Sequence, residues 1–479
     1  MNTHPNILLL VLDSVRARNT SIHGHRNDTT PFLLDFAGES TVYSQARAPS
    51  IHSVASHASL FNGYHVEEHG VTEHESRLDP AATVWHRLET EFGYRTGIFS
   101  PNLVVMETSN LSEPFGTRVG LKRSLDRRLY DAGLSPSDFD DHVSAGEYLR
   151  ASLRNGQPVR SVLNGLYYRY GSHADSAHDP ETESASVYLD HFLEWAEERS
   201  GPWAACVNLM DAHYPYVPRE EHDRWGGPNL RRIQEDITGT QSRQFLTGRP
   251  WGELAALESL YDGCIHQIDA ALRSFVRDLK EAGLYEDTLL VITSDHGEGF
   301  GERSLVTPRV RHVDHSWGIG EELTHVPLVV KAPNQHRGRR VDAPVSLTDF
   351  RAVAEGYVEG YADGDPFSDL GRDEVVASTF RVPAPGDVLP DSVERADYVG
   401  PWRAVYQAND GVVYKYVTHG PDRATVRILD AQTAYRAERD EPGIVDEIFG
   451  RMENREVADG SRDLTRDVEA QLEDLGYMR

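Results

Sequence analysis

Acidic residues stand directly after three apolar runs of this sequence, where strands of a sheet would end. The runs span 6–12, 203–210 and 288–293, and they are followed by Asp13, by Asp211 with His213, and by Asp295 with His296. Continuous apolar runs are typical of parallel strands covered on both faces. Open α/β sheets bind ligands beyond the carboxyl ends of such strands, so we expect these side chains at one edge. Asp13, Asp295 and His296 offer the oxygen and imidazole ligands of one divalent cation.

Ser53 stands at the start of a short predicted helix. Pro49 disfavours helical backbone before it, and the pair Asn62-Gly63 is a helix stop, so the helix is predicted over 53–61. The free N–H groups of a helix start favour a phosphate or sulfate ester, although a serine there most often acts only as a cap. Beside a bound cation we expect Ser53 to act as a nucleophile, because coordination lowers the pKa of its hydroxyl.

The charge composition excludes some classes of partner. The chain has 479 residues, with 76 Asp and Glu against 48 Lys and Arg and a formal net charge of -28. This acidic excess argues against nucleic acid or an anionic membrane surface as the main partner. Only four of the basic residues are lysines. An acidic, lysine-poor composition resembles that of halophilic proteins, whose self-repulsion is screened by salt.

The cysteines and the first apolar run indicate the compartment. Cys206 and Cys264 are the only cysteines, so a disulfide framework or a cysteine-rich metal site is excluded and a reducing compartment is expected. The apolar run at 7–12 is too short for a signal peptide or a membrane span. We therefore expect a cytoplasmic protein without a membrane anchor.

The order of predicted elements indicates an α/β fold. Residues 1–350 are predicted to form a mostly parallel central sheet flanked by helices, with a polar helical insertion at about 106–200. Between 257 and 279, apolar residues recur every three or four positions, which predicts a long helix facing the sheet.

The pattern of predicted elements changes in the last part of the chain. Short strand patterns in residues 351–479, with a hairpin turn at Asn409-Asp410-Gly411, predict a smaller C-terminal antiparallel-sheet domain. A final helix is predicted over 465–475, which makes this an α+β domain.

Five segments in order resemble the sulfatase family of the alkaline phosphatase superfamily. They are NILLLVLDSVR at 6–16, SVASHASLFNG at 53–63, TSDHGEGFGE at 293–302, ELTHVPLVV at 322–330 and VEAQLEDLGY at 468–477. The resemblance covers most of the chain and implies an alkaline-phosphatase-like fold. It places Ser53 where the family carries its nucleophile and implies that Asp13, Asp295 and His296 hold one divalent metal ion. Calcium is the expected ion, with manganese or zinc as alternatives.

The resemblance also implies roles for two histidines. His213 and His315 are expected to bind the ester oxygens or to protonate the leaving group, because an imidazole exchanges protons near neutral pH. His312 and His325 lie close to His315 in the sequence. Which of these three enters the site is left open.

Further positions follow or depart from the family's pattern. Asn102 and Arg16 are predicted to bind the substrate. Ser14 replaces a second acid, His57 replaces the signature arginine, and Ser53 replaces the cysteine that most such enzymes convert to formylglycine. His57 is predicted to act in catalysis. Because maturation recognises the arginine-containing motif, conversion of Ser53 to formylglycine is left open.

The leading hypothesis is a metal-dependent sulfuric ester hydrolase acting on a glycan or another small ester. The alternative is a phosphomonoester, phosphodiester or phosphonate hydrolase, or a phosphotransferase, because an unmodified Ser53 would form a covalent enzyme that water releases. A catalytically inactive binding protein with the same fold is a third hypothesis. A two-metal phosphatase is disfavoured, since Asp211 and His213 are only two positions apart. The sequence leaves the oligomeric state open.

Overall fold

The computed structural model describes residues 4–120, 130, 133–134, 145–170, 184–238, 240–360, 367, 374–380, 389–438, 441 and 443–461. The chain divides into two compact units, one made of Met1–Gly120 with Pro180–Arg479 and the other of Leu121–Asp179. The first unit contains both the central sheet and a smaller antiparallel sheet. The predicted domain boundary between residues 350 and 351 stays a prediction.

Strands of the central sheet are spread over the first three quarters of the chain. The described strands are β1 (Asn6–Leu12), β2 (Thr41–Arg47), β3 (Ser76–Leu78), β4 (Arg95–Phe99), β5 (Thr117–Val119), β6 (Trp203–Leu209), β7 (Thr288–Thr293), β8 (Gly299–Arg303), β9 (Arg311–Asp314), β10 (Leu328–Lys331), β11 (Arg339–Ser346), β12 (Val375–Thr379), β13 (Trp402–Asn409), β14 (Val412–His419), β15 (Asp422–Ile428), β16 (Ala434–Arg436) and β17 (Ala458–Ser461). The central sheet has eight strands in the order β11-β2-β10-β7-β1-β6-β4-β5. Neighbours are parallel except β10, which is antiparallel to β2 and β7. The predicted mostly parallel sheet is confirmed.

Helices cover both faces of this sheet. The α-helices are α1 (Pro31–Phe36), α2 (Ser53–Asn62), α3 (Val66–His69), α4 (Val84–Phe92), α5 (Ala145–Arg154), α6 (Pro158–Tyr170), α7 (Ala185–Glu197), α8 (Pro228–Glu235), α9 (Gln241–Leu246), α10 (Trp251–Glu281), α11 (Glu321–Thr324), α12 (Phe350–Glu359) and α13 (Ile444–Phe449). The apolar residues of α7 and α10 form one core with one face of the sheet, and those of α2, α4 and α12 form a second core with the other face. The long helix expected between 257 and 279 is α10.

The central strand β1 explains why the first apolar run is continuous. Leu8 and Leu10 pack into the core that contains α10, whereas Ile7 and Leu9 pack into the core that contains α2. Successive side chains of a strand point to opposite faces, so a strand covered on both faces needs apolar residues at every position. The polar residue that ends the run, Asp13, therefore lies at the edge of both cores.

The smaller sheet confirms the predicted C-terminal antiparallel sheet. Its strand order is β12-β13-β14-β15-β16, and all of its neighbours are antiparallel. Asp410 and Gly411 connect β13 to β14 with φ angles of 49° and 77°. Two successive left-handed residues are the requirement of a tight hairpin turn, as the sequence predicted. On one face, Val445 and Phe449 of α13 pack against the sheet.

Three further predictions concern the remaining segments. The segment expected to be helical at about 106–200 also contributes β5, a sheet-edge strand of three residues that is too short to produce a sequence pattern. The helix predicted over 465–475 lies outside the described residues. In the part of the chain that is described, no helix is long and apolar enough to cross a membrane.

We expect Leu10→Ala to lower the free energy of unfolding by about 2–5 kcal/mol, because the substitution leaves a cavity in the middle of the sheet. Leu34→Ala is the control, since Leu34 is 53% exposed on α1 and its truncation should change stability by about 0.5 kcal/mol or less. Denaturant unfolding followed by fluorescence measures both. Equal midpoints for the two variants would contradict the central position of β1.

Candidate active site

The three predicted metal ligands meet at the carboxyl ends of two neighbouring strands. Asp13 follows β1, and Asp295 and His296 follow β7, which pairs with β1 in parallel. One ligand atom from each residue lies within 4.8 Å of the others, and all three side chains are fully buried. Ser14, with a left-handed φ of 63°, turns the chain here so that its N–H donates to Asp295 Oδ1 at 3.3 Å. Parallel pairing and this turn bring the two carboxylates together.

The donor set of this cluster fits a divalent cation. His296 Nδ1 lies 2.9 Å from the carbonyl oxygen of Gly297, and because a carbonyl only accepts, Nδ1 carries the proton. His296 Nε2 lies 3.4 Å from Asp295 Oδ2 and 4.0 Å from Asp13 Oδ1. Asp295 Oδ2 is buried and has no hydrogen-bond donor among the described residues. Two buried carboxylates and an imidazole lone pair without a lysine or arginine partner in this part of the structure suit a bound cation.

Amide and hydroxyl donors orient Asp13. Asn102 Nδ2 and Asn208 Nδ2 both donate to Asp13 Oδ2, at 3.0 and 3.2 Å, and Ser14 Oγ donates to Oδ1 at 2.9 Å. Although burial raises the pKa of Asp13, the neighbouring histidines, first among them His213, hold its pKa below the ordinary value. Asn208 was missed from sequence. Its signal was a polar residue inside the otherwise apolar strand β6.

Asn102, predicted to bind the substrate, contacts Asp13, one of the predicted metal ligands. Its side-chain oxygen accepts from the backbone N–H groups of Val104 and Val105, at 2.9 and 3.1 Å, which leaves its amide nitrogen directed at Asp13. Asn102 therefore belongs to the same site as the cation ligands. A direct contact with substrate stays a prediction.

Ser53 is the first residue of α2, and the helix ends at Asn62, followed by Gly63 with a φ of 77°. The predicted helix is therefore confirmed, one residue longer than expected. Ser53 Oγ lies 3.3 Å from His296 Nε2, within hydrogen-bond distance. The helix start thus places a hydroxyl directly against the cluster of Asp13, Asp295 and His296.

His57 lies one helical turn after Ser53 and is fully buried. Its Nδ1 donates to the carbonyl oxygen of Ser53 at 2.8 Å and lies 3.7 Å from Asp295 Oδ2. The ring packs edge-on against Phe61, with the ring centroids 5.7 Å apart. The structure thus brings His57 to Ser53 and Asp295. Its part in catalysis stays a prediction.

His315 is the histidine of the three candidates that joins the cluster. Its ring centroid lies 4.5 Å from that of His296 and 5.2 Å from that of His213. His312 instead pairs with Glu322, and His325 Nε2 lies 2.8 Å from the carbonyl oxygen of Ser44. The structure therefore brings His213 and His315 together beside the predicted cation ligands, and the roles that the resemblance implied for them stay predictions.

Asp211, two positions before His213, is not part of the cluster. Asp211 Oδ1 accepts from Gln267 Nε2 at 2.7 Å and Oδ2 accepts from the backbone N–H of Ala185 at 2.8 Å. Both oxygens of Asp211 therefore link the end of β6 to helices α7 and α10. Its position after an apolar run indicated the end of a strand at this sheet edge, but it did not indicate a residue of the cluster.

Besides Asn208, three further side chains near the cluster were missed from sequence. Glu298 is fully buried, its Oε2 lies 3.4 Å from His315 Nδ1, and burial raises its pKa to about 7. The His52 ring lies 6.3 Å from that of His315 and 6.5 Å from that of His74. Burial holds the pKa of both His52 and His74 below the ordinary value. For two of them, the sequence signal was a position close to a predicted site residue. His52 directly precedes Ser53, and Glu298 follows His296 by two positions.

Arg16, predicted to bind the substrate, is held by protein groups. The guanidinium is fully buried and pairs with Glu258 at 2.5 Å and with Glu302 at 2.6 Å. It also donates to Asn19 Oδ1 and, at 3.0 Å, to the carbonyl oxygen of Glu298. The structure therefore connects Arg16 to the backbone of the site and to α10. Substrate binding by Arg16 stays a prediction.

A mostly parallel α/β sheet, with a serine at a helix start and two carboxylates and a histidine at neighbouring strand ends, is the architecture of the alkaline-phosphatase-like superfamily. A family model described as Sulfatase matches residues 5–354 of the chain. The protein belongs to the sulfatase family, a family of sulfuric ester hydrolases. The resemblance of the five segments is thereby confirmed.

Individual relatives show how broad this similarity is. The chain is 35% identical over 374 residues to the multifunctional alkaline phosphatase superfamily protein PehA of Trinickia caryophylli, which covers 70% of each protein. It is 21% identical to arylsulfatase K of Bos taurus over 72% of this chain, and spans only 61% of that relative's length. A phosphonate monoester hydrolase from Silicibacter pomeroyi shares the fold, with a TM-score of 0.58, 15% identity and 94% of each chain covered.

We expect Asp295→Asn to weaken cation binding by more than about 10–100-fold, the loss typical when only an outer-shell partner of a metal ligand is removed. Titration calorimetry with Ca²⁺ and Mn²⁺, together with metal analysis of the purified protein, measures the change. Wild type should hold about one ion per chain. Asp35→Asn is the control, because the Asp35 side chain is 75% exposed. Unchanged metal content in Asp295→Asn would contradict the site.

Proposed function

We propose that this protein is a metal-dependent hydrolase that cleaves a sulfuric ester of a glycan or another small molecule, with Ser53 as its nucleophile. The observation that carries the proposal is the 3.3 Å contact between Ser53 Oγ and His296 Nε2. A nucleophilic hydroxyl needs a neighbour that activates it, and Ser53 has the cation-binding cluster as that neighbour. Asp13, Asp295 and His296 are the residues that would hold one divalent cation.

With Ser53 as an unmodified serine, its Oγ loses a proton to solvent and forms a bond to the sulfur of the ester, and the bond from sulfur to the leaving oxygen breaks. With Ser53 as formylglycine, one hydroxyl of the aldehyde hydrate would form this bond, and the second hydroxyl would then eliminate sulfate. The leaving oxygen takes a proton, for which His315 and His213 are the candidate donors. In the serine form, water then attacks the sulfur and the bond to Ser53 Oγ breaks, so that sulfate leaves and a proton from the water restores the hydroxyl. When bound, a divalent cation supplies a Lewis acid that lowers the pKa of the hydroxyl and offsets charge on the ester.

A second candidate function is hydrolysis of a phosphonate monoester or a phosphodiester at the same site. Two observations favour it. His57 occupies the position of the family's signature arginine, and its Nδ1–H donates a hydrogen bond to the carbonyl oxygen of Ser53. The chain is also 35% identical to a relative described as multifunctional within the superfamily. An unmodified serine suits this chemistry, whereas a formylglycine suits sulfate elimination.

The two functions differ in the state of Ser53, and mass spectrometry of the peptide that contains it tests the difference. In protein from the native host, loss of two hydrogens from Ser53 would indicate formylglycine and support the sulfatase. An intact serine would support phosphoester or phosphonate hydrolysis. The same peptide carries Ser56, Ser59 and His57, so fragmentation must assign the change to Ser53.

We expect Ser53→Ala to lower kcat/KM by on the order of 10³-fold or more, because removal of a nucleophile abolishes the covalent step. Ser56→Ala is the matched control. Its hydroxyl lies in the same helix, is buried and has no hydrogen-bond partner among the described residues, so we expect little change. Paired aryl sulfate, aryl phosphate and aryl phosphonate substrates measure both variants. A large preference for phosphorus esters would overturn the sulfatase proposal in favour of the second candidate.

A further inference from the structure

A tyrosine of the long helix α10, Tyr261, contacts the backbone turn that follows β1. Tyr261 is fully buried, and its ring centroid lies 5.5 Å from that of Tyr216 and 5.1 Å from that of Phe300. Its hydroxyl donates to the carbonyl oxygen of Ser14 at 2.7 Å and accepts from the backbone N–H of Arg16 at 2.9 Å. A single phenol group therefore bonds the turn at both of its ends.

Ser14 has a backbone conformation that needs support from its surroundings. Its φ of 63° lies in the left-handed region, which residues other than glycine seldom adopt. Among the non-glycine residues with positive φ in the described chain, Ser14 alone is fully buried. Such a conformation persists only where neighbouring groups determine it. The hydrogen bond from Tyr261 to the Ser14 carbonyl is one of these determinants.

The other polar groups of Ser14 bond the predicted cation ligands. Its N–H donates to Asp295 Oδ1 at 3.3 Å, and its hydroxyl donates to Asp13 Oδ1 at 2.9 Å. The direction of both bonds depends on the conformation of the turn. Because the Tyr261 hydroxyl bonds the backbone of the turn, it acts on the two carboxylates through Ser14.

A fixed turn matters most before a cation binds. Two buried carboxylates repel each other when no opposite charge lies between them, and this repulsion favours their separation. A ligand set that supporting bonds already hold in place loses less free energy to reorganisation on binding. Support of the Ser14 turn is therefore expected to raise the affinity of the site for a cation.

We propose that Tyr261 is a positioning residue for the cation site. Its hydroxyl fixes the turn at Ser14, and this turn holds the carboxylates of Asp13 and Asp295 at the spacing that one ion requires. The proposal rests on the proposed function in one respect, that Asp13, Asp295 and His296 hold a divalent cation. Tyr261 itself is not a ligand.

Tyr216 provides a matched control in the same group of aromatic rings. It is buried, and its ring centroid lies 5.5 Å from that of Phe300, but its hydroxyl has no hydrogen-bond partner among the described residues. Substitution by phenylalanine removes only the hydroxyl from either tyrosine. Tyr216→Phe therefore removes a buried hydroxyl without removing a bond to the turn.

Titration calorimetry with Ca²⁺ and Mn²⁺ tests the proposal without any reaction. Tyr261→Phe should weaken cation binding by about 10-fold, the lower end of the loss typical of outer-shell partners, because the hydroxyl acts through Ser14. Tyr216→Phe should bind the cation as wild type does. Equal affinities in the two variants would overturn the proposal.

Hydrogen–deuterium exchange in the metal-free protein measures the turn directly. In Tyr261→Phe the backbone amide of Ser14 should lose protection, although the tyrosine hydroxyl does not bond this N–H, whereas the amides of β1 should keep theirs. A Ser14 amide that is equally protected in Tyr261→Phe and Tyr216→Phe would overturn the proposal, because the turn would then not need the hydroxyl.

Kinetics at high cation concentration separate a positioning role from a structural one. Excess cation should restore the kcat of Tyr261→Phe on an aryl ester, because the lost affinity is then compensated. A variant that fails to fold, or whose kcat stays low at saturating cation, would overturn the proposal, since the hydroxyl would then serve the fold as a whole.

The same measurements distinguish failure of this proposal from failure of the proposed function. If wild type bound neither cation, both would fall. If wild type bound a cation and hydrolysed no ester, the proposed hydrolase would fall, and the calorimetry would still decide whether Tyr261 positions the cation site. Wild-type binding with unchanged affinity in Tyr261→Phe would overturn the role of Tyr261 alone.

Discussion

The structure depends on the repulsion between two buried carboxylates. Asp13 and Asp295 follow neighbouring parallel strands, and the pairing of β1 with β7 brings their fully buried carboxylates within a few ångströms of each other. Like charges at such a distance are unfavourable unless an opposite charge lies between them. Hydrogen bonds donated by Ser14, Asn102 and Asn208 fix the positions of the two carboxylates. The divalent cation proposed for this site would supply that opposite charge.

The smaller sheet takes part in the site through its first strand. The N–H of Ser378, in β12, donates to the carbonyl oxygen of Pro49 at 3.0 Å, four residues before Ser53. His52 Nε2 donates to the carbonyl of Phe380 at 3.1 Å, just after the same strand. The segment that leads into α2 is therefore fixed from both sides, by the central sheet and by the smaller one. This explains how a loop residue such as His52 can keep its ring in a buried cluster.

Much of the fold could be predicted because its elements carry strong local patterns. The continuous apolar run of β1, the three- and four-residue spacing in α10 and the Asp410-Gly411 turn each follow from what one element must bury or bend. Short elements could not be predicted, because they contain too few residues to form a local pattern. β5 has three residues, and its pairing at the sheet edge comes from β4 and not from a pattern of its own.

The sequence by itself determined the chemistry of the site: two carboxylates and an imidazole at strand ends, and a hydroxyl at the start of α2. Only the tertiary structure decided between neighbours of the same type. His315 contacts His296 whereas His312 pairs with Glu322, and Arg16 pairs with acids of distant elements. The physical reason is that a residue's type sets which contacts it can make, while burial and partners from remote segments set which contacts it does make.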